Sequence, residues 1–135
     1  MESQNEAIAG AAASIGRAQY RTVVTSGKHT LIADEPEDKD GADTGMNPFE
    51  LLLASLASCT VITLRMYINR KMWVIDEIGV ALEMFRTDNE VMIDSKLTFK
   101  GEVTDEQRKR LVTIADACPV HKILVGNVVI NTSLS

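Results

Sequence analysis

Two side chains in this sequence stand out as capable of covalent chemistry: Cys59 and Cys118. Each falls in a helical stretch. Cys59 lies in the middle of a long apolar run, and Cys118 immediately precedes Pro119, where a new turn of helix can begin. A thiol at the start of a helical turn meets free backbone amides and the positive end of the dipole, which favours thiolate. Two thiols on two core-facing helices suit a peroxidatic nucleophile and its resolving partner. On spacing alone they suit better the plain role of cysteine as a small buried hydrophobe. Sequence spacing leaves open whether the two Cα atoms come within bridging range. With only two cysteines and no CxxC, a structural zinc site and a disulfide-dense scaffold are excluded.

Other candidates carry less. His121 follows Cys118 by three residues and could polarise a thiol, although a solvent-side histidine on a short helix commonly does nothing chemical. His29 follows a turn and reads as exposed. The two isolated histidines do not combine with the cysteines into a metal site, and no cofactor is indicated. The acidic segment Asp38-Lys39-Asp40-Gly41-Ala42-Asp43 lacks the full ligand ladder and the closing glutamate of a calcium loop, so it reads as a solvated loop. Gly-Lys occurs only in the hairpin turn Gly27-Lys28, so no phosphate loop is present. Ser55, Cys59 and Thr63 share a helix face at i, i+4, i+8. That row reads slightly better as close packing than as a polar pocket beside the thiol.

The elements that position these residues are legible. Arg17–Thr25 alternates in the manner of a strand, Ser26-Gly27 is a turn, and Thr30–Ala33 reads as the returning strand. Asn47-Pro48-Phe49-Glu50 opens a helix with an N-cap, a proline at N1 and a carboxylate at N3. The helix runs to about Lys71, some ~37 Å. From Leu51 to Leu64 it is apolar or small on every face, so it must be covered on every face. A single small sheet cannot do that, and the small Ala54, Ser55, Ala57 and Ser58 allow a second copy of the same helix to approach. Two alternating strands follow, with Val80, Leu82 and Met84 on one face of the first, a turn at Thr87–Glu90, and Val91, Ile93, Leu97 and Phe99 in the second. Thr104-Asp105-Glu106-Gln107 is a capping box for another helix, with Leu111, Ile114, Ala115 and Cys118 on its apolar side. Val120–Val125 reads as a short helical turn and Val128–Asn131 as a last strand. The pattern β-β-α-β-β-α-β is α+β.

The 135 residues suit one domain spanning 1–135, with residues 1–15 as a frayed or weakly helical tail. That tail opens with Glu2 and Glu6 in place of a basic segment, so it is not read as a signal peptide and the expected location is cytoplasmic. Leu51–Leu64 is shorter than the roughly 20 residues a bilayer requires, so no membrane is expected as a partner. The net charge of −5 argues against nucleic acid.

Gly45-Met46-Asn47-Pro48-Phe49-Glu50-Leu51-Leu52 with Ala57-Ser58-Cys59 resembles the first motif of the OsmC/Ohr family, and Ala117-Cys118-Pro119-Val120-His121-Lys122-Ile123-Leu124 resembles its second. The resemblance covers roughly Arg17 to Ser133. It implies the OsmC-like fold: antiparallel sheets packed on a long central helix and a second helix, in an intertwined homodimer with the site at the interface. It also implies a thiol peroxidase acting on organic hydroperoxides, in which Cys59 is the attacking thiolate, Cys118 resolves it as a disulfide, and a dithiol such as a dihydrolipoyl group is the reductant. One position departs from that pattern. Phe49 stands where the best-understood members carry a catalytic glutamate, and Glu50, one residue on, is turned ~100° away around the helix. The cap is the better role for Glu50. Arg17 and Arg21 lie in the region that supplies the family's active-site arginine, without a residue-by-residue match, while Arg65 and Arg70 read as solvated or interfacial. The alternative to a peroxidase is a non-enzymatic dimer of the same fold that binds a small apolar ligand or a lipoyl group.

Overall fold

The computed structural model describes residues 6–135. The chain forms two compact units, one ending at Leu51 and the other running Leu52–Ser135.

The first unit holds a three-stranded antiparallel sheet of β1 (Ala12–Ile15), β2 (Thr22–Ser26) and β3 (His29–Ala33), in that spatial order. The hairpin of β2 and β3 turns through Gly27, whose φ of 58° suits a residue without Cβ. Two features differ from the sequence reading. Ala12–Ile15, expected in a tail, is an edge strand pairing Ala12 with Thr25 and Ile15 with Thr22. Its side chains are exposed on both faces, so backbone pairing alone makes the strand and no hydrophobic alternation announces it. The strand expected from Arg17 begins only at Thr22, because Gln19 sits at φ 55° and breaks the extended run. Residues 1–5 of the expected tail lie outside the described residues.

The acidic loop after β3 is a built structure. Asp34 is buried and accepts from the Glu35 amide at 2.7 Å, the Thr44 amide at 3.1 Å and the Thr44 hydroxyl at 2.5 Å. Those bonds, led by the Thr44 hydroxyl and opposed by burial, hold its carboxyl below the ordinary value of 3.8. A side chain at Gly45 would collide with the Ile32 carbonyl, and one at Gly41 with that of Glu35, so close backbone approach requires glycine at both. Ala33 then bridges Met46, which delivers the chain to the next helix.

α1 spans Pro48–Lys71. Its start is the reciprocal box expected: the Asn47 amide donates to Glu50 Oε1 and the Glu50 amide to Asn47 Oδ1, both at 2.8 Å. The second unit packs the body of α1 with β4 (Ile75–Arg86), β5 (Val91–Gly101), α2 (Asp105–Ala115) and α3 (Pro119–Val125). β4 and β5 form an antiparallel hairpin in which Val80 pairs with Leu97 and Met84 with Ile93. Thr104 caps α2 through the Gln107 amide at 3.1 Å, and Gln107 returns the bond to the Thr104 amide at 3.0 Å. The core joins Leu64, Tyr67 and Ile68 of α1 to Ile75 of β4 and Leu111 of α2, with Leu97, Phe99 and Trp73 packed around them.

The strand expected at Val128–Asn131 is absent: this stretch has no regular structure, and Val128, Val129 and Ile130 are exposed. A short β-branched run becomes a strand only beside a sheet edge, and none among the described residues pairs with it. Part of α1 is likewise uncovered, with Ile62 and Met66 exposed by more than half. By length and composition α1 has what a bilayer-crossing helix also has, 24 residues with a mean hydropathy of 1.7 over its best window. Its buried stripe of Leu56, Thr60, Leu64, Tyr67 and Ile68 makes it a core helix of this fold.

Candidate functional site: a thiol pair at the start of α3

α3 is the element that assembles the site. Cys118 is its N-cap, Pro119 its first residue, and Cys118 accepts the first helical bond from the Lys122 amide at 3.1 Å. The Cys118 thiol makes no capping bond within its own chain segment. The Val120 and His121 amides are therefore orphan donors of the first turn, and proline at N1 removes a third that would need a partner. These donors act on the sulfurs electrostatically: the Val120 amide lowers the pKa of both Cys59 and Cys118, and the His121 amide lowers that of Cys118.

Cys59 arrives from the middle of α1, one face round from the buried Leu56 and Thr60. The structure brings the two cysteines near enough for each thiol to act on the acidity of the other, and both are free. They differ in surroundings. Cys59 is half-buried, whereas Cys118 is fully buried. Burial pushes the Cys59 thiol up, but the Cys118 thiol, the Val120 amide and the Thr63 hydroxyl together outweigh it and hold Cys59 below the ordinary 9.0. For Cys118, burial and then the bond to Cys59 push the thiol above that value, against the two amides. The two thiols are thus unequal: the half-buried Cys59 is shifted towards greater acidity and the buried Cys118 away from it.

No charged side chain is among the groups that set the acidity of Cys59 among the described residues. Glu50 is committed to the cap, as expected. Arg65, expected to be solvated or interfacial, is half-buried and donates to the Ile75 carbonyl at 3.1 Å, tying α1 to β4. The His121 ring faces Asp116 at 3.8 Å, and its contribution to the thiols is its backbone amide. Thr63 had a signal in sequence, the i+4 spacing from Cys59. The Val120 amide had only an indirect one, the proline after Cys118. Close by, a cavity of about 290 Å³ opens between α1, β5 and α3, lined by Leu56, Thr60, Val91, Ile93, His121 and Leu124 among others. Neither cysteine lines it.

Residues 40–133 match the family model described as OsmC-like protein, which takes in both cysteine segments and every element from α1 to α3. The chain belongs to the OsmC family. Solved OsmC-type structures have the same fold. An OsmC-like protein from Mycoplasma pneumoniae aligns with a TM-score of 0.70 at 17% identity, covering 90% of this chain and 89% of the other. A protein from Psychrobacter arcticus, whose role in the osmotic-stress and detoxification response is itself inferred, aligns at 0.74 and 21%, covering 87% and 89%. The organic hydroperoxide resistance protein OhrB of Bacillus subtilis aligns at 0.61 and 27%, covering 88% and 91%. No curated protein matches the chain by sequence. OsmC family membership thus establishes the α+β fold, and some structural neighbours are named for organic hydroperoxide resistance.

Proposed function

We propose that this OsmC family member is a thiol peroxidase that reduces organic hydroperoxides, with Cys59 as nucleophile and Cys118 as resolving residue. The observation that carries the reading is an unequal thiol pair: a half-buried Cys59 whose pKa is lowered, beside a fully buried Cys118 whose pKa is raised, each thiol acting on the other. The Cys59 thiolate attacks the outer peroxide oxygen. The O–O bond breaks, the leaving alkoxide takes a proton to become alcohol, and Cys59 becomes a sulfenic acid. The Cys118 sulfur then attacks that of Cys59, hydroxide leaves with the Cys118 proton as water, and a disulfide forms. A dithiol of the dihydrolipoyl type returns both thiols and ends as its own disulfide.

The neutral donors Thr63 and Val120 take the place of charged activation, which fits Phe49 at the position where a glutamate would otherwise stand. The working unit is a homodimer: a second copy covers the exposed Ile62 and Met66 of α1, and the unpaired Val128–Asn131 run finds its sheet edge there. The protein acts in the reducing cytoplasm. A second reading, a dimer that holds a small apolar ligand or lipoyl group without turning it over, draws support from the apolar cavity.

Turnover of cumene hydroperoxide with dihydrolipoamide separates the two. The parent turns over, while Cys59→Ser folds as the parent does and loses turnover completely. Equal rates for the variant and the parent contradict the peroxidase reading and leave the ligand-binding one.

A further inference from the structure

The second unit gathers cations where the chain as a whole is acidic. Arg70 and Lys71, from the last turn of α1, and Arg110, from the middle of α2, surround the buried Tyr67. The charged groups lie 5.9, 5.7 and 5.8 Å from its ring centroid. No two of them can therefore be more than about 12 Å apart. Arg108, by contrast, lies over the Phe99 ring at 5.9 Å, so the cluster at Tyr67 is these three cations in a protein of net charge −5. Among the described residues the ion pairs are Lys100–Glu77 and His121–Asp116, and neither uses these cations. Asp105 and Glu106, on the first turn of α2, make no ion pair with them.

Two ordinary roles account for part of this cluster. Arg70 and Lys71 complement the negative end of the α1 dipole. The Tyr67 ring attracts a cation to its face. Neither role explains why Arg110 joins two like charges from a different helix. Arg110 is also held in place: its Nε donates to Tyr67 Oη at 3.0 Å, which fixes the guanidinium plane while its two terminal nitrogens stay available for a bidentate acceptor. Directly after Lys71 the chain exposes apolar surface, with Met72 84% and Val74 79% accessible, around the half-buried Trp73 that packs edge-on against Tyr67 at 5.6 Å. Methionine, arginine and aromatic side chains around an apolar tip are the composition that protein interfaces favour.

We propose that Arg70, Lys71 and Arg110 with Met72 and Val74 form a docking surface for a partner protein that presents an acidic segment with apolar side chains. Carboxylates pair with the three cations, Arg110 bidentately, and an apolar residue covers Met72 and Val74. Charge complementarity selects this occupant. An anionic partner removes the mutual repulsion of the cluster. Nucleic acid requires a continuous basic track and a positive surplus that the chain lacks. A two-fold contact with a second copy would set this basic patch against itself. The surface is independent of the thiol chemistry, since none of its residues is among the groups that set the acidity of Cys59 or Cys118.

The probe is a fluorescent synthetic peptide of repeated Glu-Glu-Leu, read by anisotropy with the full chain. Binding is expected, weakening as salt rises, with at least a tenfold loss in the double variant Arg70→Glu, Lys71→Glu. Both positions are exposed and leave the Arg110–Tyr67 bond in place, so the variant retains the parent's circular dichroism and its alkylation rate at Cys59. Met72→Asp, which leaves every cation intact, weakens binding as well. The proposal is overturned if the parent does not bind the peptide or if the double variant binds it equally. It is also overturned if phosphatidylglycerol vesicles or duplex DNA bind more tightly than the peptide, or if the double variant changes the oligomeric state.

Discussion

Glu50 is the residue on which a structural and a catalytic assignment diverge most sharply, and two substitutions distinguish them. Its carboxylate accepts the Asn47 amide at 2.8 Å on an exposed helix end, while Asn47 accepts the Glu50 amide at the same distance. Glu50→Ala removes one half of this box and the negative charge near the α1 N-terminus. A lost cap bond costs typically about 1 kcal/mol. The dipole interaction adds a few tenths at an exposed site. For a chain of this length a loss of about 1 kcal/mol lowers the melting temperature by roughly 3–4 °C. Glu50→Gln retains an acceptor for the Asn47 amide and loses only the charge, so its melting temperature falls by roughly 1–2 °C. Neither variant alters hydroperoxide turnover or the pH profile of Cys59 alkylation, because the carboxylate is spent on the cap. Thermal melts followed by circular dichroism, alongside turnover and iodoacetamide rates, read all of this. If Glu50→Gln melts like the parent yet loses turnover, Glu50 is part of the chemistry and the neutral-donor account of Cys59 fails.

Other expectations follow from single contacts. Leu111 is fully buried at the junction of α1, β4 and α2, so Leu111→Ala loses about 2–5 kcal/mol in urea unfolding followed by Trp73 fluorescence. A midpoint near the parent's would mean this core is not formed as described. Thr63→Val deletes a donor to the Cys59 sulfur, so the rate–pH curve for alkylation moves to higher pH and the rate at neutral pH falls. An unchanged curve removes Thr63 from the site. Asp34 has a depressed folded-state value, so its contribution to stability is full above the unfolded value and is lost as pH falls through the folded one. The urea midpoint of the parent should therefore drop below about pH 4 by more than that of Asp34→Asn, and parallel curves would contradict the clamp.

The parts of this molecule that sequence makes visible are those that rest on local chemistry. Asn47-Pro48-Phe49-Glu50 and Thr104–Gln107 cap their helices because cap bonds join residues three apart. Val80, Leu82 and Met84 declare their face because one side of the hairpin is packed and the other is wet. Ala12–Ile15 lacked any such signature, since an exposed edge strand is specified by the strand beside it. Val128–Asn131 had the residues of a strand and no edge to join. At the site, both cysteines stood out by type and motif. Their influence on each other, and the role of the Val120 amide, depend on how α3 docks beside α1, which no spacing along the chain encodes. The basic cluster is similar: Lys71 and Arg110 are 39 positions apart and, with Arg70, meet only around Tyr67.

The central claim is that Cys59 and Cys118 act as one redox pair. Intact-mass measurement of the reduced protein after one equivalent of cumene hydroperoxide tests it most directly. The account predicts a loss of about 2 Da, restored by a dithiol and replaced in Cys118→Ser by a gain of about 16 Da at Cys59. An unchanged mass, or two thiols oxidised independently, would contradict it.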